Sequence, residues 1–131
     1  MRFNSERPIF AQIAGLLVEE ILSGRPAEGA RLPSARELAS SLEVNPNTAS
    51  RALQSLADEG VARTERGTGY FVAEGGLERA RAERRRLFFE ESLPALFRSM
   101  GELGIGLDEI ASRHAASEKA SGGNAAGKEN T

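Results

Sequence analysis

One stretch of this chain concentrates side chains that could read a nucleic acid. From Val44 to Gly60 the sequence runs VNPNTASRALQSLADEG. At about 100° per residue, Asn47, Ser50, Arg51, Gln54 and Asp58 fall on one side of a helix. Ala49, Ala52, Leu53 and Leu56 fall on the other. Amides, hydroxyls and a guanidinium on an exposed helix face can hydrogen-bond base edges or phosphate oxygens. The same pattern serves helices that only pack, so the neighbouring segments decide between the two. The helix has clear limits: Asn45 can cap it, Pro46 suits its first position, and Gly60 suits the left-handed residue beyond its end.

The elements around this stretch position it. Pro8 opens a first helix with Ile9, Phe10, Ile13, Leu16, Leu17 and Ile21 at helical spacing, stopping near Ser23-Gly24. A loop leads to Leu32-Pro33. Then SARE at 34–37 is a capping box, with Ser34 as the cap and Glu37 reaching back. A short helix over about Ala35 to Leu42 follows, turning Leu38, Ala39 and Leu42 inward. Residues 43–45 turn into the Asn45-capped helix, which makes a helix-turn-helix. After Gly60 the period changes. Residues 61–66 read as a strand, Gly67-Thr68-Gly69 as a hairpin turn, and Tyr70-Phe71-Val72 as the returning strand. A helix-turn-helix followed by a hairpin with Arg66 at its tip is a winged helix. The strands can close the core through Phe71 and Val72 while the tip projects.

Other chemistry finds no support in the residues. His114 is the only histidine, and the chain has no cysteine and no tryptophan. A disulfide scaffold and a Cys-ligated zinc are thereby excluded. There is no P-loop and no clustered metal-ligand spacing, and GTG at 67–69 is too short for a nucleotide fingerprint. No enzyme activity, cofactor or metal is expected. No apolar run approaches the roughly 20 residues of a transmembrane helix. The start MRFNSERP lacks the apolar core of a signal peptide, so a cytoplasmic protein is expected.

Charge refines the picture. The 131 residues carry a net charge of −2, and residues 1–75 hold eight Arg against ten Asp and Glu, also −2. A DNA-binding role here must come from arginines placed on one surface, not from bulk charge. Of 17 basic residues only Lys119 and Lys128 are lysine, as a GC-rich genome would give.

The runs RLPSARELA, VNPNTASRAL, LADEG and RGTGYFV, in that order and spacing, resemble the GntR family of bacterial transcription regulators. PIFAQIAGLLVEEILSG resembles the family's first helix, and the likeness spans about residues 7–73. The VNPNT form and the short C-terminal part are most similar to the YtrA subfamily. The resemblance implies contacts with DNA backbone and bases at the start of the second helix, from Ser34 and Arg36. Arg36 is the strongest candidate for base readout, because a guanidinium can grip guanine O6 and N7 together. Ser34 can equally be occupied as the cap. Asn45, Asn47, Thr48, Ser50 and Arg51 complete the candidate contacts of the recognition helix. Arg66, Gly67, Thr68 and Gly69 form the wing tip, where backbone N–H groups can approach a phosphate or the minor groove. Many family members carry basic residues where this chain has Pro46 and Ser50, which shifts basic contact onto Arg51. Arg63 reads either as a wing contact or as a solvated strand residue.

The rest of the chain is expected to dimerise. Gly75-Gly76 is a break, and Leu77 to Met100 reads as a long helix carrying Leu87, Phe88, Leu93, Leu96, Phe97 and Met100. Pro94 should kink or break it. Arg84-Arg85-Arg86 is read as a solvated face paired with Glu83, Glu90 and Glu91. A last helix, Leu107 to His114, turns Leu107, Ile110 and Ala111 inward. Such helices cannot hide their apolar faces alone, and pack most simply on a second copy. The fold class expected is mainly α with a small β-hairpin. Its parts are a winged helix-turn-helix DNA-binding domain over 1–75, a helical dimerisation region over 76–116 and a disordered tail over 117–131. The function expected is a homodimeric, sequence-specific regulator of an inverted-repeat DNA operator, in this family most often a repressor, with its effector open. The alternative is a winged-helix module that docks a protein. Such a face would carry an aromatic or large aliphatic anchor at its centre, and Asn47, Ser50, Arg51 and Gln54 supply none.

Overall fold

The computed structural model describes residues 3–129, with side chains to residue 121. The chain divides into two compact units, Met1–Arg86 and Leu87–Thr131.

The first unit contains helices α1 (Ile9–Leu22), α2 (Ala35–Leu42) and α3 (Pro46–Asp58), strands β1 (Ala62–Glu65) and β2 (Gly69–Val72), and nearly all of helix α4 (Gly76–Leu87). Each of the first three helices buries the face its spacing prescribes: Ile13, Leu17 and Ile21 from α1, Leu38 and Ala39 from α2, and Ala49, Ala52, Leu53 and Leu56 from α3. Ile13, Ile21, Leu53, Leu56 and Val72 are the largest side chains fully out of solvent. Both halves of the helix-turn-helix are capped as the sequence implies. Ser34 Oγ accepts the Glu37 N–H at 3.0 Å, and Glu37 Oε1 accepts the Ser34 N–H at 2.8 Å. Asn45 Oδ1 accepts the Asn47 N–H at 2.7 Å. Between the two helices Glu43 takes a left-handed conformation, φ 56°, to turn the chain.

The hairpin pairs Ala62 with Val72, Arg63 with Phe71, Thr64 with Tyr70 and Glu65 with Gly69. Its loop is therefore Arg66–Thr68, one residue earlier than the expected turn, and Gly69 opens the second strand. The segment read as a loop before Pro33 is also extended. Val72 N–H donates to the Ala30 carbonyl at 2.9 Å and Leu32 N–H to the Tyr70 carbonyl at 2.8 Å, with Arg31 paired opposite Phe71. The wing thus has a third edge that local sequence patterns do not mark.

Helix α4 corrects the expected boundary after residue 75. Its Ala80 is buried, and Leu77 packs on the same core. A Cβ at Gly76 would lie 2.4 Å from the Val61 carbonyl oxygen. Gly75-Gly76 is therefore no linker at its second residue: Gly76 is glycine because the helix starts against the backbone of Val61. Arg84 forms an ion pair with Glu19 and donates to the Gly15 carbonyl at 3.1 Å, while Arg86 pairs with Glu83. The arginine run is thus a paired face, with one partner on α1 that local spacing could not reveal.

The second unit contains a π-helical turn (Phe88–Ser92) and helices α5 (Leu93–Leu103) and α6 (Leu107–Glu129). The single long helix over Leu77–Met100 is corrected to three pieces. The interruption expected at Pro94 takes the form of a π-helical turn just ahead of it. Pro94 sits in the first turn of α5, and the wider turn before it carries the Leu93 N–H to the Phe88 carbonyl. A proline has no N–H for the carbonyl four residues back, and a π-turn relieves the mismatch. Helix α6 continues through Glu129, past the expected end at His114 and through most of the tail expected to be disordered; residues 130–131 lie outside the described residues. Ala115, Ala116, Glu118, Lys119 and Ala120 are strong helix formers, so intrinsic propensity extends a helix that apolar periodicity does not mark. Leu107, expected inward, is 70% exposed.

Candidate nucleic-acid interface

Three short stretches present the candidate contacts. At the start of α2 the Ser34 hydroxyl oxygen is engaged by the cap, and the residue is half-buried. The backbone and side-chain hydrogen bonds from Ser34 hold the Glu37 carboxyl below the usual carboxylate range. Ser34 is thus first a structural cap. Arg36, in the same turn, is exposed, and among the described residues it forms no ion pair.

At the start of α3, Asn45, Asn47 and Ser50 are exposed and Thr48 is half-buried. The face read from the helix period divides in two. Its first turn is open, with Asn47 and Ser50 presented to solvent. Further along, the side chains are tied down. The Arg51 guanidinium stands 4.1 Å from the centre of the Phe10 ring on α1. Gln54 Nε2 donates to Asp58 Oδ1 at 2.9 Å, and the Tyr70 hydroxyl donates to Gln54 Oε1 at 3.3 Å. Arg51 stays at an exposed position but is aimed by an aromatic ring. Gln54 links the helix to the wing strand.

The wing tip is a tight turn. Thr68 N–H and Oγ both donate to the Glu65 carbonyl, at 3.0 and 3.1 Å, and Gly67 takes φ 77°. Arg66, Gly67 and Thr68 are exposed, and Gly69 is half-buried with φ 124°. Both glycines hold backbone conformations that a side chain would strain. Arg63 pairs with Glu65 at 2.5 Å and lies 5.0 Å from the Phe71 ring centre, which makes it a paired strand residue. Phe10, Tyr70 and Arg31 also belong to this surface, though the sequence did not single them out. Their signals are tertiary, apart from the alternation of Arg31 outward and Leu32 inward, which suits a strand.

Among the described residues no group of three His, Cys, Asp or Glu is arranged to hold a metal ion, and no helix is long and apolar enough to cross a membrane. Among the described residues of the first unit, the exposed large apolar side chain is Ile9 on α1. The surface formed by the first turns of α2 and α3 and by the wing tip is therefore polar, with no anchor for a docked protein.

Comparison with known proteins agrees with this geometry. Residues 10–72 match the profile described as "Bacterial regulatory proteins, gntR family". The chain is 34% identical to the HTH-type transcriptional repressor YtrA of Bacillus subtilis, over 82% of each chain. It is 33% identical to the HTH-type transcriptional regulator YhcF of the same organism, over 83% of this chain and 88% of the relative. Among solved structures, a GntR family transcriptional regulator from Listeria monocytogenes superposes with a TM-score of 0.71 at 32% identity. That match covers 87% of this chain and 98% of the other.

Proposed function

The chain belongs to the gntR family of bacterial regulatory proteins, a DNA-binding transcription regulator, and from that premise we propose a homodimeric repressor that reads an inverted-repeat operator. The observation that carries the reading is the surface of α2, α3 and the wing tip, whose exposed positions include Arg36, Asn47, Ser50, Arg51 and Arg66. In this reading Arg36 grips a guanine edge in the major groove. Asn45, Asn47, Thr48, Ser50 and Arg51 meet base edges and phosphates along the recognition helix, and Ser34 contributes from the cap. Arg66, Gly67, Thr68 and Gly69 reach the backbone or the minor groove beside it. The repressor sense follows the relative YtrA, an HTH-type transcriptional repressor.

The dimer rests on the second unit. Phe88, Phe89, Leu96 and Phe97 are 39–55% exposed, an apolar set that a second copy would cover. Two copies joined there would offer recognition helices to successive major grooves about one helical turn apart. The test is a titration of the purified protein on the region upstream of its own gene, with transcription from that promoter read in parallel. A shifted inverted repeat and reduced transcription are expected. Arg36→Ala should weaken operator binding by about 1–3 kcal/mol and relax preference at one position per half-site. A protein that leaves inverted repeats unshifted, or an Arg36→Ala variant with parental affinity at matched salt, would overturn the assignment.

A further inference from the structure

Arg31 opens the run RLPSARELA and pairs with the wing, yet it is not among the candidate DNA contacts of the helices or the wing tip. It pairs opposite Phe71 across the edge of β2, so the two side chains share a face of the wing sheet. Its guanidinium lies over Gly69: a Cβ there would meet Arg31 Nε at 3.4 Å and a terminal nitrogen at 3.5 Å. The absence of a side chain at Gly69 thus makes room for the flat group. On the other side the Arg31 charge acts on Glu37, in the first turn of α2 next to Arg36. The guanidinium therefore stands at the junction between the turn that carries Arg36 and the hairpin that carries Arg66.

Its chemistry at that junction is open. Arg63, also paired opposite Phe71, is neutralised by Glu65. Arg84 is held by Glu19, and Arg51 lies against Phe10. Arg31 is exposed, and among the described residues it forms no ion pair or side-chain hydrogen bond. Its guanidinium lies beside Gly69 with no partner side chain among the described residues, which leaves its donors available.

A helix reading the major groove and a wing reaching the neighbouring minor groove are separated by one sugar–phosphate strand, because that strand is what divides the two grooves. A cation fixed between the two elements meets that strand. We propose that Arg31 is a DNA phosphate contact at the junction of the helix-turn-helix and the wing. The proposal rests on the DNA-binding reading above. It assigns Arg31 to affinity and register, not to sequence choice, since phosphate contacts position a protein without reading bases.

The test uses the full chain and a mixed-sequence duplex of about 30 base pairs, long enough for two half-sites. Affinity is measured across a range of salt concentrations. Removing a side chain that neutralises one phosphate should flatten the slope of log K against log salt by about 0.9. Arg31→Ala is expected to show that flattening, equally on operator and mixed duplex. Arg31→Lys, which keeps the charge and gives up the planar guanidinium beside Gly69, is expected to restore the parental slope. A parental slope in Arg31→Ala would overturn the phosphate contact. So would flattening in both variants, which would mean that Arg31 acts only by holding the wing in place. A parent protein that binds the duplex with no salt dependence would overturn the DNA-binding reading as well, so the two failures are distinguishable.

Discussion

The two units of this chain solve the problem of apolar surface in opposite ways. In Met1–Arg86 the large side chains Ile13, Ile21, Leu53, Leu56 and Val72 are withdrawn from water, and even the polar interior is closed. Gln12 is 8% exposed, and its side chain donates to the carbonyls of Asn4 and Arg7 and accepts the Asn4 N–H. Among the described residues no buried side-chain polar atom lacks a partner. In Leu87–Thr131 no described residue is buried, although the π-turn and α5 carry three phenylalanines and several leucines. The first unit accounts for its own stability. The second has the composition of an interface and, by itself, nothing to cover it. On the proposed reading, stability and assembly fall to different parts of one sequence.

The hardest test of that division is to remove the second unit. A chain ending at Arg86 should remain folded and monomeric, because it retains Leu77, Ala80 and Arg84 of α4. Its operator affinity should fall by a factor of roughly 10² to 10⁴ once the second half-site is no longer tethered. Sedimentation and operator titration check both parts. A truncated chain that binds as tightly as the parent would break the comparison. Ending at Gly75 instead would take away α4 and its core contacts, so that shorter chain should be less stable, a difference that thermal melting reads directly.

Two truncations to alanine sharpen the contrast. Leu53→Ala, at 0% exposure in the first unit, should cost about 2–5 kcal/mol of unfolding free energy at any protein concentration. Phe97→Ala, at 55% exposure, should leave the monomer's stability nearly unchanged and instead weaken self-association. The signature is a melting temperature that depends on concentration in the parent and loses that dependence in the variant. A Phe97→Ala protein that melts earlier at every concentration to the same extent would place this ring in a core.

Gly76→Ala tests where the division falls. The added methyl must displace the Val61 carbonyl, 2.4 Å away, so a loss of about 1–3 kcal/mol is expected by denaturant titration. In a flexible linker the same substitution would be neutral or slightly stabilising. That residue also marks the limit of what the sequence made legible. Helix spacing in the first three helices, the capping box at Ser34–Glu37 and the hairpin glycines are local signals, and they led to the right elements there, with the turn one residue off. The role of Gly76, the pairing of Arg84 with Glu19 and the edge formed by residues 29–32 depend on what the chain meets far away. At the C-terminal end the failure had another source. Apolar periodicity reports packing, so it missed a helix extended by alanine, glutamate and lysine. The candidate site divides likewise: Arg36, Asn47 and Arg66 were visible as types on exposed positions, whereas the ring under Arg51 and the bond from Tyr70 to Gln54 were not.

The smallest effect concerns two serines just ahead of helices. Ser34 caps α2 in the closed unit, whereas Ser92 precedes α5 in a helical conformation and makes no side-chain cap bond. Ser34→Ala should therefore cost about 1 kcal/mol, and Ser92→Ala should stay within about 0.5 kcal/mol of the parent. The Ser34 effect should also depend on pH. The Glu37 carboxyl titrates below its ordinary range because the Ser34 backbone and side chain hydrogen-bond it in the folded state. A group whose folded pKa is depressed binds protons more readily in the unfolded chain. Its contribution is thus present above the unfolded value and is lost as pH falls through the folded one. Ser34→Ala removes one of the bonds that depress it. The stability gap between parent and variant should accordingly be widest near neutral pH and narrow in the acid range below ordinary carboxylate titration. Urea unfolding of both proteins at a series of pH values measures this directly. A gap that stays constant into acid would mean that the hydroxyl caps the helix without help from the carboxylate.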